Sequence, residues 1–451
     1  MMEEIKADEA AKGFDDIPTI TPPHNYLVDM PSYLARMALE HGPVFKWRVP
    51  SKVQTFYGEW VVFMVGPEAN RFVMHAHRDH FSHDAGWSPM FAGVFEQGLL
   101  NTDDPEHARE RKMMSPAFAV AYMNAYLPIM ERVIAGRTRD WVAHDKVDLY
   151  QEARKITFDV AAEALVGFEP GPAVDHLREL FYMLLRPDPM MVESRQEFIG
   201  RMARVRDEMN GMLLERIAQR RRVPSDDILG LLVQARDDAG LPFDDAQLLG
   251  QLHILLVAGH ETTTALSAWL LYLLATHPDY LRRVHAEMDA VLAEADGSIT
   301  LKAIKAAREL GHAVDEAGRL RSPVANAPRG VVKDVVFGGY TIPAGVHVLL
   351  SLVACHRLPH VFTNPDVFDP DRFAPSREED KRTPYGLVTF GGGPRACIGM
   401  GFAQMEVKAL AMHVFRNYTL EATNEERIVH AYDNIIASVV SGLIVRVKPR
   451  V

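Results

Sequence analysis

Residues 390–399, FGGGPRACIG, decide how this chain folds and what it binds. They form a glycine-rich loop that places Cys397 just before a helical pattern over residues 400–415. Glycines let the backbone pass close to a flat ligand, and the loop N–H groups together with the helix N-terminus stabilise a thiolate over a thiol. We therefore expect Cys397 to be an anionic ligand, with Phe390 beside its sulfur and Arg395 facing an anionic group of the bound molecule.

The same loop allows two other interpretations. Gly391, Gly393 and Ala396 follow the strand-like stretch LVTF and imitate a dinucleotide-binding fingerprint, with Glu421 at the end of a second short strand. However, only 30 residues follow Glu421, too few to complete a doubly wound sheet, and Cys397 would have no role. A cysteine that is simply a small buried apolar residue would leave the surrounding glycines unexplained.

Composition and charge narrow the class of protein. The 451 residues are 48% hydrophobic and 24% charged, as in an ordinary globular protein, and the formal net charge of -11 argues against a nucleic-acid partner. The two cysteines, Cys355 and Cys397, form no C-x-x-C pair, which excludes a disulfide framework and a structural zinc module. Residues 1–20 lack the basic and apolar regions of a signal peptide, so we expect a flexible N-terminal segment and a cytoplasmic protein.

Helical and strand-like patterns are segregated along the chain. Alternating β-branched and aromatic residues near the start predict a small sheet, and helical periodicity dominates from about Pro105 to Arg321. Strand patterns return over residues 335–352, and residues 435–448 predict a terminal hairpin. We therefore expect a mainly α fold with a minor β region, formed as a single domain over residues 1–451.

One long helix carries the second informative pattern. It is predicted to start at Asp244 and to end before Pro278, and its polar residues favour a buried core helix over a membrane anchor. Its middle reads AGHETT over residues 258–263. The Thr262 hydroxyl can donate to the Ala258 carbonyl and loosen the helix locally. The pattern therefore predicts a notch in a buried helix, flanked by a hydroxyl and a carboxylate.

Both patterns resemble motifs of the cytochrome P450 family. The fixed positions of the motif F-x-x-G-x-R-x-C-x-G are matched by Phe390, Gly393, Arg395, Cys397 and Gly399. The long helix matches A-G-x-[D/E]-T-T in full. The resemblance implies a triangular helical prism that holds haem b between the long helix and the loop, with Cys397 as axial ligand of the iron and the matched loop residues in contact with the haem. It also implies that Glu261 and Thr262 help to deliver protons during oxygen activation.

A third pattern, E-x-x-R followed by P-x-R-F, resembles the family's buried charge network. It assigns a structural role to Glu316, Arg319 and Arg372. Without the cysteine loop this pattern would be weak evidence, because an exposed ion pair three residues apart on a helix is common and contributes little.

The resemblance also assigns residues to the haem propionates. These are His107, Arg111, Arg329 and Arg395. His107 and Arg111 share one face of a helix, because they are four residues apart. The preceding Asp103-Asp104 is predicted to cap this helix, with Pro105 as its first residue.

Together these motifs imply a haem-thiolate monooxygenase that inserts one oxygen atom from O2 into an organic substrate. A related branch that uses peroxide directly lacks the acid–threonine pair, so O2 and external electrons are favoured over a peroxide-driven enzyme. Because the haem domain uses all 451 residues, a separate ferredoxin or flavodoxin with its NAD(P)H reductase is expected to supply the electrons. A haem gas sensor would not need Glu261 and Thr262, and a nicotinamide-dependent dehydrogenase would not need Cys397.

Substrate contacts are predicted from position and composition. The expected lining residues are Trp87, Phe91, Phe95, Ala258, Val324 and Val439. Residues 87–95 coincide with a variable substrate-contacting loop of the family. Methionines and aromatic residues suit an adaptable apolar pocket, and they equally suit core packing. We expect a sizeable lipophilic substrate, such as a fatty acid, a terpenoid or a retinoid-like or steroid-like molecule.

Overall fold

The fold was analysed in a computed structural model, which describes residues 11–23, 26–50, 58–91, 94–185, 195–423, 428–431 and 438–450. It is mainly helical with small sheets, which confirms the predicted fold class. The α-helices of the described chain are α1 (Met30–His41), α2 (Pro67–Arg71), α3 (His83–Phe91), α4 (Glu106–Met114), α5 (Val120–Thr138), α6 (Leu149–Ala164), α7 (Pro172–Leu185), α8 (Arg195–Arg222), α9 (Ile228–Gln234), α10 (Asp245–Thr276), α11 (Pro278–Ala293), α12 (Leu301–Ala306), α13 (Arg308–Leu320), α14 (Leu352–Cys355), α15 (Glu379–Arg382) and α16 (Met400–Asn417).

The strands form small sheets at the edges of the helical body. They are β1 (Val44–Arg48), β2 (Trp60–Val65), β3 (Phe81–Ser82), β4 (Val147–Asp148), β5 (Asn326–Val331), β6 (Val335–Phe337), β7 (Tyr340–Ile342), β8 (His347–Ser351), β9 (Tyr418–Ala422), β10 (Val429–Ala431), β11 (Ser438–Ser441) and β12 (Ile444–Pro449). The largest described sheet has the order β1-β2-β8-β5-β3, in which only β2 and β8 are parallel. Strands that are far apart in sequence therefore meet in this sheet.

The helix α10 runs through the centre of the fold. Its start is capped as predicted, since the Asp244 carboxylate accepts from the N–H of Gln247 while the Gln247 side chain accepts from the N–H of Asp244. It packs against α6, α13 and α16. By length and composition it could cross a membrane, but 83% of its apolar window is buried inside the protein. This burial agrees with the predicted core helix.

The N-terminal segment is more extensively packed than expected. Residues 1–20 were predicted to be flexible, but residues 11–20 lie against the domain. Lys12 forms a parallel bridge with Tyr340, and the side chain of Ile17 is 1% exposed. The start of the sequence is rich in charged residues and does not suggest packing. The segment nevertheless buries apolar side chains such as Ile17. The first ten residues lie outside the described part of the chain.

The predicted terminal hairpin is wrong. Among the described residues, β11 pairs with β10, and β12 pairs with β4 and β9 rather than with β11. The strand signals were correct, but the partners are non-local. The strand-like stretch LVTF before the cysteine loop is not a strand, and the β9 strand that contains Glu421 belongs to an antiparallel sheet. The dinucleotide-binding interpretation therefore fails.

Candidate active site

A cavity of about 290 Å³ separates the middle of α10 from the cysteine loop. Over residues 248–274 of α10, three residues are not fully buried: Ala258, Gly259 and Thr262. All three line the cavity. The Thr262 hydroxyl donates to the Ala258 carbonyl oxygen at 2.5 Å, as the sequence predicts. Within this stretch, α10 is therefore exposed only where it borders the cavity, and this exposed surface is called the bared face of α10.

The loop presents Cys397 to the same cavity. Its ends are held together because the N–H of Cys397 donates to the carbonyl oxygen of Phe390 at 2.9 Å. Gly393 has a φ of +64°, and a Cβ at that position would lie 2.5 Å from the carbonyl oxygen of Met74. Gly393 does not line the cavity. Its close approach to Met74 gives it a role in loop packing, and its contact with haem stays a prediction.

The two cysteines have different environments. Cys397 is exposed to the cavity, and burial raises its pKa while the backbone of Gly399 and the charge of Arg111 lower it. Cys355 is 0% exposed, and burial raises its pKa to about 12. Its thiol donates to the carbonyl oxygen of Gly386 at 3.4 Å. Cys397 is therefore the cysteine that can act as a ligand, and Cys355 is a buried thiol.

Cationic side chains from separate segments meet at one side of the cavity. The members of this cation cluster are Arg111 of α4, Arg329 of β5 and Arg395 of the loop, with His107 of α4 beside them. The pKa of Arg329 is lowered to about 9, first by burial and then by the charge of Arg395. Burial and Arg395 also lower the pKa of His107 to about 4. The cluster therefore has more positive charge than its surroundings compensate.

The two aspartates near this cluster do not cap α4 as predicted. Pro105 occupies the cap position, and no side chain accepts a capping hydrogen bond there. Asp103 instead accepts from the N–H of His83 at 2.7 Å, at the start of α3. Asp104 lies 3.6 Å from a guanidinium nitrogen of Arg395. One carboxylate thus supports α3, and the other compensates part of the cation cluster.

His83 is a cavity residue that the sequence analysis missed. It is 9% exposed and lines the cavity. Its Nδ1 has no hydrogen-bond partner, and its pKa lies well below the usual value because of burial and the charges of Arg329 and Arg395. No sequence motif marks His83. Its place depends on the pairing of β3 with β5, which brings α3 against β5.

These residues fit the haem that the sequence resemblance implies. An accessible cysteine faces the cavity opposite small residues of α10, which leaves room for a flat ligand. Buried cations require anionic partners, and the Nη1 of Arg329 donates only to the carbonyl oxygen of the adjacent Pro328, at 2.7 Å. Two carboxylates of one ligand would supply the missing negative charge.

Glu261 does not line the cavity. It is buried between α10 and α6, where Arg154 Nε and Nη2 lie 2.8 and 2.7 Å from its Oε1. The Tyr150 hydroxyl donates to its Oε2 at 3.3 Å. The Arg154 guanidinium in turn lies 3.7 Å from the ring centre of Tyr182. The predicted acid and alcohol are therefore adjacent in sequence, but only the alcohol lines the cavity, while the acid faces α6.

The predicted structural residues form a closed network below the loop. Arg319 Nε and Arg372 Nε lie 2.7 and 3.0 Å from Glu316 Oε2, and all three side chains are 0% exposed. Glu379, which the sequence analysis did not include, lies 2.8 Å from Arg372 Nη1. Arg319 Nη1 also donates to backbone carbonyl oxygens. Each arginine of this network has a carboxylate oxygen within 3.0 Å, whereas in the cation cluster the Asp104 carboxylate lies 3.6 Å from Arg395.

The predicted substrate contacts are placed only in part on the cavity wall. Those that line it are Trp87, Phe91, Ala258 and Val324. Phe95 does not line it, because its ring packs edge-on against Phe91 and His253, with centroids 5.9 and 5.8 Å away. The side chain of Val439 lies outside the described part of the structure. Other lining residues that the sequence did not single out include Leu99, Leu100, Ile254, Leu255 and Leu352.

Comparison with known sequences identifies relatives over most of the chain. A family model described as Cytochrome P450 matches residues 27–442. The protein named cytochrome P450 136 from Mycobacterium tuberculosis is 32% identical over 372 residues, which cover 81% of this chain and 75% of the relative. The protein named cytochrome P450 120 from Synechocystis is 31% identical over 385 residues, covering 84% of each chain. A sterol 14alpha-demethylase of Mycolicibacterium vanbaalenii is 28% identical, over 87% of this chain and 88% of the relative.

Solved structures with the same fold were also found. The retinoic acid-bound cyanobacterial CYP120A1 superposes with a TM-score of 0.80 at 26% identity, covering 98% of this chain and 99% of the other. The cytochrome P450DA heme domain superposes with a TM-score of 0.83 at 25% identity, with the same coverage.

Proposed function

The chain belongs to the cytochrome P450 family of haem-thiolate monooxygenases, and we propose that it inserts one atom of O2 into a sizeable lipophilic substrate, with haem b as its cofactor. One observation carries this proposal. The bared face of α10, formed by Ala258, Gly259 and Thr262, lies across the cavity from Cys397. Cys397 would hold the iron of a bound haem, and Thr262 would offer a hydroxyl for proton transfer in the same cavity.

Each part of the cavity has a distinct task in this proposal. Haem supplies oxygen activation at its iron when it is bound. Cys397 would provide the thiolate: burial raises the pKa of its thiol, the backbone of Gly399 and the charge of Arg111 oppose that rise, and coordination to the iron would stabilise the anion further. Arg329 and Arg395 hold the haem carboxylates and so fix its orientation. The apolar wall excludes water from the reacting atoms.

Proton delivery is assigned to Glu261 and Thr262. The Glu261 carboxylate is held away from the cavity by Arg154 and Tyr150. Thr262 presents its hydroxyl to the cavity from the next position. We infer that the Glu261 side chain rotates away from Arg154 toward the Thr262 side of the helix, takes up a proton from water there and passes it to the cavity. Its return to Arg154 and Tyr150 then restores the ion pair.

The substrate is proposed to be largely hydrocarbon. Away from the cation cluster, most side chains of the described wall are apolar, such as Phe91, Ile254 and Leu352, and threonines such as Thr262 are the exceptions. The names of two similar proteins, a sterol demethylase and a retinoic acid complex, favour rigid lipophilic molecules of comparable size. A separate ferredoxin or flavodoxin with its NAD(P)H reductase is proposed as electron source, and a cytoplasmic location stays a prediction.

The proposal is tested by the fate of oxygen in a Thr262→Ala variant. Wild-type enzyme is supplied with a surrogate ferredoxin, its reductase and a lipophilic substrate that shifts the haem spectrum. Product and hydrogen peroxide are then measured against O2 consumed. The variant should bind substrate normally and consume O2, but release mostly peroxide, because the cavity hydroxyl that organises protons is lost.

Thr264→Ala is the matched control. Thr264 is buried on the same helix, and its Oγ1 lies 2.6 Å from the Thr157 hydroxyl, away from the cavity. Its loss should leave the ratio of product to peroxide unchanged. Equal uncoupling in both variants would mean that helix integrity, and not the Thr262 hydroxyl, controls the reaction.

A further inference from the structure

Two polar side chains of α10 hold residues 96–102, the wall segment, although neither side chain lines the cavity. Gln251 and His253 are each 0% exposed and do not contribute to the cavity lining. Gln251 Oε1 accepts from the N–H of Leu99 at 2.9 Å, and His253 Nδ1 accepts from the N–H of Glu96 at 2.9 Å. Leu99 does line the cavity. A residue of the cavity wall is therefore fixed at its backbone from behind, by α10.

The wall segment also packs directly on the backbone of α10. A Cβ at Gly250 would overlap the carbonyl oxygen of Gln97, and a Cβ at Gly98 would lie 2.6 Å from the carbonyl oxygen of Gly250. At the other end of the segment, the carbonyl oxygen of Thr102 accepts from Arg395 Nη1 at 2.6 Å. The wall segment therefore has one end on α10 and the other end on the cation cluster.

The second partners of Gln251 and His253 lie on different helices. Gln251 Nε2 donates to Glu110 Oε2 of α4 at 2.9 Å, whereas His253 Nε2 lies 2.8 Å from Asn210 Oδ1 of α8. Glu110 is 6% exposed, and burial raises its pKa although the hydrogen bond from Gln251 and the charge of Arg109 oppose the rise. Of the two α10 residues, Gln251 is therefore the one that connects the wall segment to α4.

The helix α4 presents cations to the cavity. Glu110 lies three residues after His107 and directly before Arg111, so it lies beside both on the surface of the helix. His107 and Arg111 line the cavity. Two further ion pairs, closer to solvent, attach α4 to the chain before α10: Arg109–Asp237 and Lys112–Asp238. The hydrogen bond from Gln251 is thus a buried attachment of the helix that faces the cofactor.

We propose that Gln251 is a positioning residue that sets the spacing between Leu99 and the cofactor-facing side of α4, and so limits the length of the lipophilic substrate. This inference rests on the proposed function, because it assumes haem and a substrate in the cavity. A primary amide suits the task, since one planar group accepts from the wall segment and donates to α4. Buried hydrogen bonds are costly to leave unmade, so the two segments keep a fixed spacing.

The first measurement uses probes that bind the haem iron without turnover. A series of 1-alkylimidazoles of increasing chain length is titrated into the haem-loaded enzyme, and their affinities are read from the Soret shift. In the wild type, affinity should rise up to the chain length that meets Leu99 and then fall. In Gln251→Leu, the affinity ratio between the preferred probe and the next longer one should shrink about two- to tenfold, the range that a hydrogen bond of this kind is worth.

Haem retention is the second measurement, because an effect confined to Leu99 would not change it. Gln251→Leu releases α4 at Glu110, so haem should transfer to apomyoglobin about two- to tenfold faster. Glu110→Leu breaks the same hydrogen bond from the other side. It should reproduce both effects, although Glu110 does not line the cavity.

An exchange of the two residues tests the hydrogen bond itself. In the double variant Gln251→Glu, Glu110→Gln, the carboxylate at position 251 can accept from the N–H of Leu99 and from the amide at position 110. The chain-length preference and the haem transfer rate should therefore return to within about twofold of the wild type. An exchange that behaves like Glu110→Leu would overturn the proposal, and this comparison decides the matter even where Gln251→Leu does not fold.

His253→Leu is the matched control, because His253 is equally buried and holds the same wall segment. Its second partner lies on α8 instead of α4, so haem transfer should stay at the wild-type rate. Equal acceleration of haem transfer in His253→Leu and Gln251→Leu would overturn the proposal and assign both residues to general packing. A lower unfolding free energy in Gln251→Leu, with haem transfer and chain-length preference unchanged, would overturn it as well.

The same samples separate this inference from the proposed function. The difference spectrum of the reduced enzyme with carbon monoxide is recorded before each titration. A thiolate-type band, with chain-length preference and haem transfer unchanged in the variants, overturns the Gln251 assignment alone. Absence of that band in the wild type overturns the proposed function, and this inference with it.

Discussion

Two groups of charged side chains, the network around Glu316 and the cation cluster, differ in how their charge is compensated. In the network around Glu316, two arginines share a fully buried carboxylate, and a second acid, Glu379, completes it. In the cation cluster, burial and then the charge of Arg395 lower the pKa of Arg329, and burial lowers the pKa of Arg395 although Asp104 and Asp103 oppose the change. The positive charge of the network around Glu316 is compensated by acids of the protein itself. The positive charge of the cation cluster is compensated fully only when an anion binds.

This difference separates structural charge from ligand-binding charge without reference to any motif. Arginines with in-chain acid partners and no access to a cavity hold the fold together. Arginines that line a cavity and whose positive charge exceeds that of the acids beside them are positioned for a ligand. Substitutions that remove a charged side chain from one group at a time should therefore have different effects.

Glu316→Gln should have the largest effect on stability. The substitution leaves Arg319 and Arg372 buried with insufficient negative charge, so the free energy of unfolding should fall by about 3–5 kcal/mol. Urea-induced unfolding of the haem-loaded protein measures this change. Asp279→Asn is the control, because its partner Arg282 and Asp279 itself are exposed, and it should cost less than about 1 kcal/mol. Similar losses in both variants would remove the distinction between enclosed and exposed pairs.

Arg329→Met should affect ligand retention rather than the fold. Loss of a buried charged donor to a carboxylate is worth about 1.5–3 kcal/mol, so haem should transfer to apomyoglobin at least about tenfold faster. The unfolding free energy of the haem-free protein should stay constant or rise, since a buried uncompensated charge is removed. Arg283→Met, at a half-exposed arginine paired with Glu309 and Asp371, should leave haem transfer unchanged. A loss of stability in Arg329→Met with normal haem retention would assign Arg329 to the fold.

The pH dependence of the unfolding free energy is expected to show the smallest change per step, because it builds up gradually over several pH units. Burial, with a smaller contribution from Arg206, lowers the pKa of His253 from 6.5 to about 4. Folded His253 is neutral and accepts from the N–H of Glu96, whereas the unfolded residue takes up a proton below about pH 6.5. Neutral, buried His253 therefore stabilises the folded protein above pH 6.5. This contribution to the free energy of unfolding is lost as the pH falls toward 4, by at most about 1.4 kcal/mol per pH unit. His253→Gln should flatten this slope in urea unfolding measured across that range.

His107 sharpens the same comparison, because its pKa is also lowered to about 4 but it faces the cation cluster. Bound carboxylates favour the protonated imidazole and so raise its pKa. His107→Gln should therefore change the pH slope of the haem-loaded protein less than His253→Gln does. Equal slopes in the two variants would mean that no anion faces His107.

The parts of the site that the sequence predicts well are those set by local spacing. The loop around Cys397 and the segment around Thr262 each lie within one short stretch, so their residue types and periodicity report their geometry directly. The long helix is also predictable, because Asp244 and Gln247 form its cap from adjacent positions. Such features depend on hydrogen bonds and turns between residues that are close in sequence.

The sequence fails where position depends on distant partners. The strand that contains Val445 pairs with Val147 and Ala422 instead of the strand just before it. His83 joins the cation cluster because non-local sheet pairing brings α3 beside Arg329. Side-chain direction is equally hidden, so Phe95 packs on its neighbours while Phe91 four residues earlier reaches the cavity.

The central claim, that Cys397 is a thiolate ligand facing the bared side of α10, is tested most directly by one spectrum. The difference spectrum of the dithionite-reduced protein with and without carbon monoxide should show a strongly red-shifted Soret band in the wild type. Cys397→Ser should lose that band while retaining the fold, and a Cys355→Ser variant should keep it. A histidine-type band in the wild type, or a red-shifted band that survives in Cys397→Ser, would contradict the account.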